Sequence, residues 1–215
     1  MNFDPTSTFS GEEIDTLQEV MNIAFGSAAA DLAEAIDIHV VLSVPSVRVL
    51  QALELPEYIG EQIKNYGRIS IVEQDFLAKF RGVALLIFPS GFGRFLIALL
   101  ENDSDSWFES DPIDVLETET LMEIANILVG ACISKVAELL NDVVMYSPPR
   151  MVIEDLPQIA ISKNLFNQGK LAITLQTVFR FNTQEDMSGF LFLICDQESI
   201  GWLRKALDDF LKQYE

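Results

Sequence analysis

The sequence is poor in the residue types that many enzymes use for chemistry. It has one histidine, His39, and two cysteines, Cys132 and Cys195, in 215 residues. A histidine-rich zinc site is therefore excluded, a Cys/His cluster nearly so, and a Ser-His-Asp triad would have to use His39. We expect both cysteines to be buried, reduced thiols and His39 to have no part in function.

Basic residues are also scarce. The 14 Lys and Arg are outnumbered by 33 Asp and Glu, which gives a net charge of −19. This field repels phosphate backbones and anionic lipid headgroups, so we expect neither nucleic acid nor a membrane as a partner. The acidic surface serves solubility or steers a partner with a basic face. A hydrophobic content of 49% with 15 Phe excludes a disordered acidic chain.

The most apolar stretch, 83–100, does not predict a membrane span. It is interrupted by Pro89, two glycines and Arg94, and so indicates a strand, a turn and a helix. The turn at 89–93 lacks the lysine and the spacing of a phosphate-binding P-loop. Residues 1–13 contain neither a basic stretch nor an apolar core, so they are not typical of a signal peptide. We expect a soluble cytoplasmic protein.

The chain repeats itself at an interval of 104 residues. Residues 16–45 align without a gap on residues 120–149, and eleven of the thirty pairs are identical. The later parts, 81–100 and 188–207, correspond more loosely. We therefore predict two tandem repeats, about 10–105 and 111–215, joined by an acidic linker at about 101–112, in one domain spanning 1–215.

Each repeat is predicted to open with a long helix and to close with another. Ser10 and Glu13 form a capping-box pattern before the first helix, and Asp111-Pro112 is typical of a helix start before the second. Strands are predicted at 47–50, 77–88, 151–154, 170–181 and 189–195, and closing helices at 92–102 and 198–214. The class is α+β: an internally duplicated, largely antiparallel sheet flanked by helices, with pseudo-two-fold symmetry.

The first helix of each repeat carries the same polar stripe. At about 100° per residue, one face collects Asp15, Glu19, Asn22, Gly26 and Ala33, and in the second repeat Glu119, Glu123, Asn126, Gly130 and Ala137. A carboxylate and a carboxamide lie one turn apart, followed by residues without bulk. A glycine inside a helix costs about 1 kcal/mol against alanine, so both repeats tolerate this cost at one place. Close approach of another surface or close packing between helices explains it.

A single Glu and Asn three residues apart on a helix are usually part of a solvated face. Here both residues recur at the same offset from a proline, Pro45 or Pro149, although duplication alone can preserve a structural pattern. The prolines most simply end a segment or shape the entry to a strand. These observations favour a functional stripe and leave the structural explanation open.

The pattern resembles that of the CheC/CheX/FliY family of chemotaxis phosphatases. The family motif is Asp or Ser, three residues, Glu, two residues, Asn, twenty-two residues and Pro. Asp15, Glu19, Asn22 and Pro45 match it at every position. The second set, Glu119, Glu123, Asn126 and Pro149, departs only in having Glu at the first position. The duplicated layout covers nearly the whole chain, and two intact motifs are most similar to CheC.

The resemblance implies hydrolysis of the aspartyl-phosphate on a receiver domain of the CheY type. It implies that Glu19 and Glu123 dock on the receiver's active-site lysine and that Asn22 and Asn126 orient the attacking water. It also implies that Mg²⁺ belongs to the receiver, that the chain has no cofactor of its own, and that CheD is a possible partner. A monomer is expected, because the duplication supplies a two-fold arrangement within one chain. The alternative is a binding protein without catalysis, such as a phospho-receiver adaptor or a flagellar-switch component.

Overall fold

The computed structural model describes residues 9–36, 40–43, 46–64, 68–89, 91–101, 115–155, 170–181 and 186–212. In the first repeat these form α1 (Gly11–Ile36), β1 (Val40–Leu42), β2 (Ser46–Gln51), a single 3-10 turn (Ala52–Glu54), α2 (Leu55–Ile63), β3 (Arg68–Leu77), β4 (Gly82–Pro89) and α3 (Phe92–Glu101). In the second they form α4 (Val115–Leu139), β5 (Met145–Tyr146), β6 (Arg150–Asp155), β7 (Lys170–Phe181), β8 (Asp186–Asp196) and α5 (Gln197–Leu211).

The strands form one eight-stranded sheet in which every described pairing is antiparallel. The order is β1-β7-β8-β4-β3-β5, with β2 also beside β7 and β6 also beside β3. The strands that follow each long helix therefore pair with the other repeat: β1 and β2 with β7, and β5 and β6 with β3. The sheet is therefore built across the two predicted repeats.

Helices cover the two faces of the sheet unequally. Helices α1, α3, α4 and α5 pack on one face over the main core, and α1 lies against α4. On the other face α2 covers a smaller cluster built on Leu55, Ile59 and Ile63. The α+β class with an antiparallel sheet is confirmed. One helical window, Val115–Glu138, is long and apolar enough to span a membrane, but half of it is buried inside the protein.

The element bounds are compatible with the predicted duplication. Helix α4 begins 104 residues after α1, and β6 begins and ends 104 residues after β2. The two-repeat division itself stays a prediction. Glu101 is the last residue of α3, and 102–114, which hold nearly all of the predicted linker and Asp111-Pro112, lie outside the described residues.

The sequence patterns predicted most of the helices and strands, but not all of them. Strand β7 has the predicted bounds, and α3 and α5 lie within one to three residues of theirs. Strand β3 was expected only at its end, because residues 69–74 are all buried and show no alternation of polar and apolar residues. Helix α2 and the short strands β1 and β5 were also missed. The predicted turn before α3 is confirmed by Gly91, whose φ is 81°.

Candidate functional site

The predicted stripe lies on the outer surface of α4. Glu119, Glu123 and Asn126 are exposed, while Leu121, Ile124 and other apolar residues of the helix are buried. Ala137, which the helical projection placed on the same stripe, is buried because the far end of α4 sinks into the core. The exposed stripe is therefore shorter than predicted and ends near Gly130, which is half-buried.

Asn126 does not stand alone on this surface. Its Oδ1 accepts a hydrogen bond of 2.8 Å from Nε2 of Gln74, a residue of β3 that is only 1% exposed. The same nitrogen donates to the backbone carbonyl of Ser147 at 3.0 Å. Because Gln74 and Asn126 lie in the two different halves of the chain, both halves build this site.

Ser147 is fixed by two further bonds to β3. Its backbone nitrogen donates to the carbonyl of Asp75 at 3.0 Å, and its Oγ accepts from the Asp75 backbone nitrogen at 3.0 Å. Three residues, 147–149, separate Tyr146 from Arg150, whereas two residues of β3 lie opposite them. This extra residue is a β-bulge, and prolines suit a bulge because they donate no hydrogen bond to the sheet. Pro149 lies in it, as the predicted strand-entry role requires.

The register of the described strands is offset in the same way in the first half of the chain. Three residues separate Leu42 from Ser46 in sequence, whereas two residues separate their partners on β7, Phe179 and Gln176. Pro45 falls at the position equivalent to Pro149 but lies outside the described residues, as does His39. The fixed interval between the motif asparagine and the motif proline therefore spans the rest of the helix and the strand leading to the bulge.

Tyr146 braces α4 below the stripe. Its hydroxyl donates to the carbonyl of Gly130 at 3.0 Å and lies 2.7 Å from Oγ of Ser134. Burial raises the pKa of the Tyr146 phenol, more than its hydrogen bond with Ser134 lowers it. The hydroxyl therefore stays protonated and remains a donor at neutral pH.

The glycines of the stripe face open space. A Cβ built on Gly26 or Gly130 would meet no heavy atom within 4 Å apart from its own helix and chain neighbours. Packing between helices therefore does not require either glycine. By contrast, a Cβ on Gly93 of α3 would collide with Glu117 and Leu121 of α4. The close contact between helices lies there and not on the stripe.

The equivalent site on α1 has a different environment. Asp15, Glu19 and Gly26 are exposed, and Asn22 is half-buried. The Oδ1 atom of Asn22 is buried and has no hydrogen-bond partner in the described part of the chain. A buried acceptor left unpaired is costly, so Asn22 stands out from Asn126, whose Oδ1 is paired.

The candidate carboxylates differ from other glutamates of the same helices in their ion pairing. Across the described residues, neither Glu19 nor Glu123 forms a salt bridge, whereas each helix also carries a glutamate near its start that does. Glu13 pairs with Arg204 of α5 at 2.9 Å, and Glu117 pairs with Arg94 of α3 at 3.1 Å. Each long helix is thus attached to the closing helix of the other repeat.

The start of α1 has the predicted capping box. The Glu13 backbone nitrogen donates to Oγ of Ser10 at 3.1 Å, and the Ser10 nitrogen donates back to the Glu13 carboxylate. Burial opposes ionisation of Glu13, but the hydrogen bonds from Arg204 and Ser10 outweigh it and lower the pKa of the carboxyl below its ordinary value. Glu13 is therefore ionised at neutral pH, where it anchors the helix start.

The two cysteines lie in the interior of the protein. Cys132 and Cys195 are buried, as predicted, and form no disulfide in the described part of the chain; burial raises the pKa of the Cys132 thiol well above its ordinary range. Within the described ranges no group of three or more His, Cys, Asp or Glu side chains could hold a metal ion.

Sequence reasoning missed Gln74, Asp75 and Tyr146. Ser147 could have been recognised from the sequence, because the aligned residue of the first repeat, Ser43, is also a serine. Gln74 could not be recognised in this way, because the register of the sheet places a different residue, Thr177 of β7, at the equivalent position. A contact found in only one repeat cannot be detected by comparing the two.

Comparison with known proteins supports the same interpretation as the motif. The CheC-like family model matches residues 12–49, which cover α1 and most of β2. The chain is 26% identical over 208 residues to the CheY-P phosphatase CheC of Bacillus subtilis, covering 94% of this chain and 98% of that protein.

Two solved structures share the fold. FliY of Thermotoga maritima superposes with a TM-score of 0.73 at 17% identity, covering 94% of this chain and 98% of the other. The FliM middle domain of H. pylori superposes with a TM-score of 0.61 at 12% identity, covering 92% and 99%.

The fold is an α+β architecture shared with FliY and the FliM middle domain. The resemblance predicted from the motif is confirmed: the chain is similar to proteins of the CheC/CheX/FliY family.

Proposed function

We propose that the protein is a phosphatase that hydrolyses the aspartyl-phosphate of a CheY-type receiver domain. The observation that carries the proposal is the pair of exposed Glu and Asn side chains one turn apart on α4, with the same residue pair on α1, where the Glu is exposed and the Asn half-buried. The relative from Bacillus subtilis, itself named a CheY-P phosphatase, supports the same class of activity.

The residue chemistry suits this reaction. A neutral carboxamide is no general base, but it can both donate hydrogen bonds to a water and accept them. Phosphoryl transfer depends mainly on positioning and electrostatics, so a correctly placed water is a large part of catalysis. In the proposal Asn22 and Asn126 orient the attacking water, and Glu19 and Glu123 dock on the receiver's lysine.

The small residues of the stripe support docking. Gly26 and Gly130 leave open space beside the candidate side chains, as an approaching receiver surface would require. The Mg²⁺ of the reaction would lie on the receiver, and this chain would bring no metal of its own. A receiver substrate also implies a cytoplasmic location. CheD stays a possible partner, and a monomer stays the expected state.

The test is the decay of a phosphorylated CheY-type receiver with catalytic amounts of the protein. We expect faster decay with many turnovers, lost in the Asn22→Ala/Asn126→Ala double variant, which keeps the wild-type circular dichroism spectrum. Gln62→Ala, on α2 at the opposite face of the sheet, is the matched control and should retain activity. Stoichiometric binding of the phosphorylated receiver without faster decay would contradict the proposal and indicate an adaptor.

A further inference from the structure

Gln74 has an unusual position for a buried polar residue. Its side chain lies on the helix-covered face of β3, is 1% exposed, and makes two hydrogen bonds through Nε2, to Asn126 Oδ1 and to the Ser147 carbonyl. Its Oε1 is buried and has no partner in the described part of the chain. A residue present only for stability would not leave a buried acceptor unpaired, so the contact with Asn126 calls for a functional explanation.

The hydrogen bonds determine how both amides are oriented. A backbone carbonyl only accepts, so Nε2 and not Oε1 of Gln74 must face Ser147. The second hydrogen on Nε2 then points at Asn126, whose facing atom must be the acceptor Oδ1. The Nδ2 donor of Asn126 is thereby turned away from Gln74.

We propose that Gln74 is a positioning residue for Asn126. It fixes the carboxamide in one orientation with Nδ2 free to donate, before any partner binds. The inference rests on the proposed function, since it concerns the same site. It adds that the first repeat supplies a residue on which the asparagine of the second repeat depends.

The sequence at the α1 site differs at the position equivalent to Gln74. Thr177 holds the register position equivalent to Gln74, and a threonine has one hydroxyl donor instead of an amide with two. Asn22 Oδ1 correspondingly has no partner among the described residues. In the described part of the chain, the Oδ1 of Asn126 is therefore held by a hydrogen bond and the Oδ1 of Asn22 is not.

The kinetic test uses the full chain carrying Asn22→Ala, so that only the α4 site turns over receiver. In this parent, Gln74→Met removes both donors at similar volume, and Gln74→Glu keeps the shape but reverses the hydrogen-bonding pattern. We expect kcat to fall about tenfold with KM for the phosphorylated receiver unchanged within about twofold, because docking does not use Gln74. Ser70→Ala, another buried polar residue on the same face of β3, should keep the parent rate.

A second readout needs no receiver. The side-chain amide resonances of Asn126 should shift in Gln74→Met, and the order parameter of that amide should fall, while Ser70→Ala leaves both unchanged. This measurement separates a positioning role from general destabilisation, since each variant is compared at an equal folded fraction. It also gives a result if no receiver is dephosphorylated.

The outcomes distinguish the inference from the function on which it rests. A parental kcat in both Gln74 variants, or an Asn126 amide equally ordered without Gln74, overturns the inference. So does an inactive Asn22→Ala parent beside an active wild type. A wild-type protein that accelerates decay of no receiver overturns the proposed function instead, and the resonances still decide whether Gln74 holds Asn126.

Discussion

The two candidate sites share a motif but not an environment. On α4, Asn126 is bonded to Gln74 beneath it, and the β-bulge at Ser147 is tied to β3. On α1, the Oδ1 of Asn22 is buried without a partner in the described part of the chain. A repeated motif therefore specifies which side chains lie on the exposed face of the helix, whereas the strand beneath the helix determines whether they are fixed by hydrogen bonds.

The strand beneath the α4 site comes from the other half of the sequence. Helix α4 lies over β3 and pairs with α3, and α1 pairs with α5, so each long helix contacts elements of the other half. Once the strands diverge, as Gln74 and Thr177 have, the sites diverge even if the helices stay alike.

The largest expected effect compares the ion pairs that attach the two long helices. Arg94→Leu should lower the free energy of unfolding by about 3 kcal/mol, because it removes the guanidinium beside a buried carboxylate. Glu117 is only 2% exposed in that pair, and Arg94 is 17% exposed. Arg204→Leu should cost about 1 kcal/mol, since Arg204 itself is 43% exposed.

Urea denaturation of both variants measures this difference. Equal losses for Arg94→Leu and Arg204→Leu would show that burial does not distinguish the two helix attachments.

Substituting alanine for glycine should change the free energy of unfolding in opposite directions on the stripe and at the contact between α3 and α4. Gly130→Ala should raise the free energy of unfolding by up to about 1 kcal/mol, since alanine is the better helix former and nothing crowds its Cβ. Gly93→Ala should lower it by about 1–3 kcal/mol, since its Cβ collides with Glu117 and Leu121.

Thermal unfolding of the two glycine variants and of Gly26→Ala provides the measurement. We also expect Gly130→Ala to weaken receiver binding while it stabilises the fold. If the unfolding temperature falls in Gly26→Ala and Gly130→Ala as it does in Gly93→Ala, the conclusion that open space lies beside the stripe glycines is wrong.

A smaller effect concerns Tyr146, which has Leu42 as its counterpart in the first repeat. Tyr146→Phe should cost about 1 kcal/mol, because the hydroxyl hydrogen-bonded to Gly130 and Ser134 is lost while the ring is retained. Chemical denaturation checks this value, with Leu42→Met as a control of similar volume. A loss below the error of the measurement would mean that the hydroxyl does not brace α4.

The smallest effect is on pH dependence. The pKa of Glu13 is lower folded than unfolded, so its contribution to stability is present at neutral pH and is lost as pH falls through the folded value. Glu13→Gln should therefore lower the free energy of unfolding at pH 7. Below the ordinary glutamate pKa of 4.5, the free energy of unfolding of this variant should fall less steeply with pH than that of the wild type. Free energies of unfolding measured from pH 7 downwards test this. An equally steep loss of stability with falling pH in the variant and the wild type would contradict it.

Much of the architecture could be predicted because it depends on local patterns. The capping box of Ser10 and Glu13, the long helices and the bounds of β7 follow from spacing along the chain. Strand β3 could not be recognised in the same way, since burial on both faces removes the alternation of its side chains.

The site was only half predictable for the same physical reason. Helical periodicity places Glu123 and Asn126 on one exposed face. Gln74 meets Asn126 only through the pairing of strands between repeats, 52 residues apart in sequence. No local pattern encodes that contact, and comparison of the repeats cannot show a residue that only one of them contains.

The most direct measurement compares the two single-site variants in the decay of a phosphorylated CheY-type receiver. The account predicts that Asn126→Ala loses a larger share of the wild-type acceleration than Asn22→Ala does, because only Asn126 is held in advance by Gln74. It also predicts that the double variant returns to the spontaneous rate. Wild-type turnover in the double variant would contradict the account, since the reaction would then not depend on either asparagine.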